Sequence, residues 1–183
     1  MPRPIAFASL AAACLLTPLT AMAGEVECHA NKDYAVAVQS DDEDAGAQFA
    51  VTALRGKKKP ASCRFDADKA DLVIGKPGDP LWYGDQSGKY LILTRSTGPQ
   101  GDLVVYDLST GKAVLDVPAD EYEVSGNTLA FWERTGEATA ENCPGFAENQ
   151  ANGMGSAVVE RKQLDLKSLK IGKTGEERCD ATQ

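Results

Sequence analysis

His29 is the only histidine in this 183-residue chain, and it sits beside Cys28. A Ser-His-Asp triad would have to be built on it, and no G-x-S-x-G elbow supplies the nucleophile. Zinc ligation fails on spacing, because there is no C-x-x-C and a single imidazole. The 27 acidic residues offer many carboxylate pairs of the kind glycosidases use, and nothing in the order of residues singles out two of them. The run Asp41-Asp42-Glu43-Asp44 lacks the D-x-D-x-D-G spacing and the closing glutamate of a calcium loop, so it reads as a solvated turn. The basic run Lys57-Lys58-Lys59 reads the same way at the opposite end of one hairpin. No P-loop or dinucleotide fingerprint occurs. The expectation is a binding protein rather than an enzyme, with no metal and no cofactor.

The cysteines say where such a protein would work. Arg3, the apolar run 5–19 and the Ala21-Met22-Ala23 sequence have the layout of a secretory signal peptide, with cleavage expected after Ala23. The run is too short for a stable membrane anchor, which takes about 20 apolar residues. A lipoprotein signal at Cys14 is the rival; it would want a small residue after the cysteine, where Leu15 stands. Cleavage removes one of the 19 basic residues and none of the 27 acidic ones, moving the net charge from −8 to −9. That balance disfavours nucleic acid and anionic membranes and favours a basic protein partner. It also leaves four cysteines, Cys28, Cys63, Cys143 and Cys179, which in an exported chain read as two disulfides and leave no thiolate for Cys–His catalysis. Four cysteines allow three pairings; their order along the chain favours Cys28–Cys63 and Cys143–Cys179.

The elements that must position any binding residue are strands. Residues 81–118 form the stretch around which the chain is organised, with strands expected at 89–95, 102–107 and 112–117 separated by Gly, Pro, Ser and Thr. Asp107, Ser109 and Gly111 mark a tight turn, the first two through side-chain bonds to local backbone and the glycine through positive φ. Trp82 and Tyr83 read as core or sheet-face aromatics. Short strands are expected at 25–28 and 63–65, an alternating hairpin from Tyr34 to Ala53, and further strands at 71–75, 128–134 and 157–166. Residues 136–155 lack periodicity and read as an insertion anchored by Cys143. No segment sustains a helical period. The expected fold is one all-β domain over 24–183 with little helix, in which eight to ten strands run in antiparallel meanders as a twisted sheet, a sandwich or a partial propeller-like unit.

Two family resemblances rest on the central stretch. Ser87-Gly88-Lys89-Tyr90 resembles the S-G-x-Y motif that periplasmic lysozyme inhibitors insert into the lysozyme cleft. Strand 91–95, loop 96–101, strand 103–107 and turn 109–112 resemble the layout of periplasmic immunity proteins that plug type VI secretion amidases with a loop. The run SGKYLIL followed by YDLSTGK is also similar to one blade of a β-propeller. The inhibitor resemblances imply a non-enzymatic exported protein whose rigid loop enters the active site of a basic cell-wall hydrolase. Ser96, Thr97, Gly98 and Gln100 would be the contact residues, and Ser87 and Tyr90 would serve in the lysozyme-type mode. The alternative expectation is a structural or envelope-assembly β domain.

Overall fold

A computed structural model describes residues 26–40, 44–56 and 62–183. The signal peptide expected at 1–23, the first three residues of the acidic run and the lysines 57–59 lie outside the described residues. Twelve strands form three four-stranded antiparallel sheets, each an up-and-down meander in chain order. The first sheet holds β1 (Val26–Ala30), β2 (Tyr34–Ser40), β3 (Ala47–Ala53) and β4 (Leu72–Ile74). The second holds β5 (Leu81–Ser87), β6 (Tyr90–Arg95), β7 (Asp102–Asp107) and β8 (Lys112–Val117). The third holds β9 (Ala119–Ser125), β10 (Thr128–Glu137), β11 (Gly155–Asp165) and β12 (Lys170–Thr182). The four-strand meander of a propeller blade thus occurs three times, although no sequence repeat announces it.

The second sheet is the middle layer. Leu91, Leu93 and Val104 on one of its faces pack against Val36, Val38, Phe49, Val51 and Ile74 of the first sheet. Ile92, Leu103, Val105 and Leu115 on the other face pack against Leu129, Phe131 and Leu164 of the third. Cross-strand pairing sets this division, with Ile92 opposite Val105 and Leu93 opposite Val104. A strand covered on both sides cannot alternate apolar with polar, which is why LIL in β6 and LVV in β7 run on without interruption. The outer sheets keep alternation: β2 turns Val36 and Val38 inward while Ala35 and Ala37 face the other way. At the seam between the second and third sheets, Gly84 of β5 meets the Tyr122 hydroxyl, and a Cβ at that position would also lie 3.0 Å from the Ile92 carbonyl.

The strand count exceeds expectation, and the cause differs from strand to strand. β5 contains Gly84 and a bulge between Tyr83 and Asp85, which hide its period. β9 presents Ala119, Tyr122 and Val124 inward, out of step with a strict alternation and set among Asp120, Glu121, Glu123 and Ser125. β12 is an edge strand with no buried residue, so it has no apolar face to recognise. The strand expected at 63–65 does not form, because those residues cross the outer face of the first sheet in irregular conformation. The insertion at 136–155 is narrower than read: β10 continues to Glu137, β11 starts at Gly155, and a short helix α1 (Phe146–Ala151) lies between. The disulfides are Cys28–Cys63 and Cys143–Cys179, the pairing favoured by chain order.

Meander topology sorts the connections onto two ends of the stack. At one end the short hairpin turns touch: Asn31 Nδ2 donates to the Gly88 carbonyl at 2.6 Å and Ser87 Oγ to the Gly126 carbonyl at 3.3 Å. The other end carries the β2–β3 connection, loop 96–101 and segment 138–154. There the Ser96 amide donates to the Pro80 carbonyl at 2.9 Å. The chain also ends there, with the Gln183 amide 3.2 Å from Gln100 Oε1.

Candidate partner-binding site

Loop 96–101 joins β6 to β7, the two strands packed on both faces, so its ends emerge from the most rigid part of the molecule. Below it Arg95 forks between Asp102, at 2.8 Å, and Asp116, at 2.6 Å. Hydrogen bonds donated to Asp116 and then to Asp102 raise the guanidinium pKa further, so it stays charged at any working pH. Within the loop, Ser96 Oγ accepts from the Gly98 amide at 3.0 Å and lies within donating distance of the Gly98 and Gln100 carbonyls. Trp82 Nε1 donates to the Ser96 carbonyl at 2.9 Å. On the far side the Gly101 amide donates to Asp120 Oδ1 at 2.6 Å, and Arg134 bonds both Asp120 and the Gly101 carbonyl. Ring-like side-chain bonding inside the loop and two clamps at its base leave only Thr97, Gly98 and Pro99 fully exposed.

The expected contact residues therefore divide. Thr97 and Gly98 form the tip, and a side chain built on Gly98 would meet nothing within 4 Å. Ser96 is spent on the loop itself, so its hydroxyl is a shaping group rather than one offered to a partner. Gln100 faces sideways into a cleft of about 340 Å³ between the loop and the third sheet. Trp82, expected in the core or on a sheet face, is 41% exposed and stands beside the loop as an aromatic platform. Ser87 and Tyr90 lie at the opposite end of the stack. Tyr90 is only 6% exposed, packed in the core between the second and third sheets with Lys89 over its ring. The S-G-x-Y motif thus has its tyrosine in the core, because β6 begins at Tyr90 and its inward parity takes the ring with it.

The wall of the cleft was not visible in the chain. Trp132 has the Arg178 guanidinium 4.2 Å above its ring, and Arg178 in turn bonds Glu121 at 2.7 Å and Asp180 at 2.8 Å. Hydrogen bonding to Asp180, ahead of that to Glu121, outweighs burial and raises the Arg178 pKa. Trp132, Arg134 and Arg178 share one sheet face because Arg134, Val159 and Arg178 are cross-strand neighbours. Only the outward parity of Trp132 next to buried Phe131 hinted at it.

His29, the residue on which a triad would have to be built, lies where two sheets meet. Its ring stacks on Tyr83 with centroids 3.5 Å apart and planes within 7°, joining the first sheet to the second. Its Nε2 lies 3.1 Å from Glu27, and no serine hydroxyl bonds it among the described residues. Burial, with Asp85 and Glu27 adding, pushes the Tyr83 hydroxyl up to about 12, so it remains neutral. Among the described residues no group of three or more His, Cys, Asp or Glu is placed to hold a metal ion. No helix among them is long and apolar enough to cross a membrane. No family model, curated protein or solved structure matches the chain.

Proposed function

We propose that the protein is a non-enzymatic binding protein of an oxidising, exported compartment, and that loop 96–101 is its recognition element. The observation that carries this reading is the contrast between a base clamped by Arg95, Asp120 and Arg134 and a tip of three small exposed residues. A loop already held in one conformation loses little entropy on docking. A narrow tip of Thr97, Gly98 and Pro99 fits a concave site, and the exposed Trp82 beside it supplies the large aromatic contact on which interfaces concentrate their energy. The two disulfides support the compartment. The net charge of −8 supports a basic partner, whose encounter it would accelerate.

The partner class this reading favours is a basic cell-wall hydrolase, engaged by insertion of the loop into its cleft. The test is inhibition of purified lysozymes and peptidoglycan amidases by the oxidised protein. Stoichiometric inhibition that Thr97→Trp abolishes and Tyr90→Phe leaves unchanged supports loop insertion. A protein that turns over peptidoglycan fragments alone, or one that inhibits equally well with Thr97→Trp, contradicts it.

A further inference from the structure

A second cavity lies away from loop 96–101, on the first sheet. It is a space of about 650 Å³ between the outer face of the first sheet and segment 62–70, which the Cys28–Cys63 disulfide holds over that face. Two cross-strand rows make the floor: Cys28, Ala37 and Ala50 in one, Ala30, Ala35 and Thr52 in the other. A sheet face left to water ordinarily carries polar residues. Here nearly every side chain is apolar and all are small. Where this chain needs two layers in contact it fills the space with Val, Leu, Ile and Phe, as the two cores show. The alanines leave this space open.

The wall contributed by segment 62–70 is polar and carries the charges. Lys69 is paired with Asp66 at 2.6 Å, so its charge is matched on the spot. Arg64 also lines the cavity and has no carboxylate partner among the described residues. Every other arginine among the described residues is paired with a carboxylate, and the fork of Arg64 is shaped for carboxylate or sulfonate oxygens. The volume falls in the range of small-molecule sites, which pair a mostly apolar lining with a few placed polar groups.

We propose that this cavity binds a small amphiphilic anion, its apolar body on the alanine floor and its carboxylate or sulfonate on Arg64. The site is independent of loop 96–101, so it stands or falls apart from the partner proposed above. The probe is 1-anilinonaphthalene-8-sulfonate, followed by fluorescence with the oxidised full chain, and the competitors are octanoate, octanol and octylammonium. The expected result is saturable one-to-one binding, with octanoate displacing the probe at least about tenfold better than octylammonium. Arg64→Glu should erase that preference without shifting the Tm, because Arg64 is exposed. Ala50→Leu, which fills the floor, should abolish probe binding; if that variant proves unstable, the Arg64→Glu comparison decides alone. Equal competition by octanoate and octylammonium, or an octanoate affinity unchanged by Arg64→Glu, would overturn the proposal.

Discussion

Asp107 shows how a single residue closes the middle sheet. Its backbone carbonyl accepts the Thr110 and Gly111 amides, its carboxylate accepts the Ser109 amide at 2.9 Å, and Lys89 from the β5–β6 turn reaches it at 2.6 Å. Burial alone would raise the carboxyl pKa, but Lys89 and Ser109 outweigh it and hold the group below the usual carboxylate value. A lowered folded-state pKa means stability that is fully present above about pH 4, the unfolded value, and is lost as pH falls through the folded one. Asp107→Asn should therefore cost about 1–2 kcal/mol at pH 7, at the modest end because Lys89 is half exposed. The difference from the parent protein should shrink toward pH 2. Urea titrations of both proteins from pH 2 to 7 check the direction; a gap that stays constant with pH would refute it. Gly84→Ala is a second prediction at this scale: its methyl has no room between the Tyr122 hydroxyl and the Ile92 carbonyl, so the seam must open and the Tm fall.

Among the elements, β6 and β7 each have one face in either core, and β6 shows the consequence. Ile92→Ala and Leu93→Ala should each cost about 2–5 kcal/mol by leaving a cavity, one between the second and third sheets and the other between the first and second. Trp82→Ala, which lies in neither core and loses one hydrogen bond to the Ser96 carbonyl, should cost only about 1 kcal/mol. Denaturant midpoints of the three variants check the contrast. What was legible in the chain follows the same logic. Unbroken apolar runs marked β6 and β7, the Val/Ala alternation marked β2, and Asp107 with Gly111 marked the turn whose glycine has φ of 70°. These are local signals, each written in a few consecutive residues. β12 was illegible because an edge strand without a buried face has no period to read. The loop at 96–101 could be recognised as a loop, but the inward turn of the Ser96 hydroxyl depends on its fold. The Trp132–Arg178 contact joins residues 46 positions apart across β11, a relation that exists only once the third sheet has formed.

Over the whole molecule, three face-to-face meanders are stacked, with one disulfide in each outer layer and none in the middle one. Cys143–Cys179 closes a loop of 36 residues and fastens segment 138–154 to β12. Replacing both cysteines by alanine should cost about 3–4 kcal/mol through the unfolded state and expose that segment to proteolysis. The cut should fall there rather than in loop 96–101, whose clamps do not involve either cysteine. The acidic surface gives the complex a signature as well: its association rate should fall with added salt, since charge steers encounter and salt screens it. The most direct measurement is capture from extract spiked with basic lysozymes and peptidoglycan amidases, with the oxidised protein and its Gly98→Trp variant as parallel baits. The account predicts a hydrolase recovered by the first and lost by the second at unchanged Tm. Recovery of the same hydrolase by both baits, or of none by either, would contradict it.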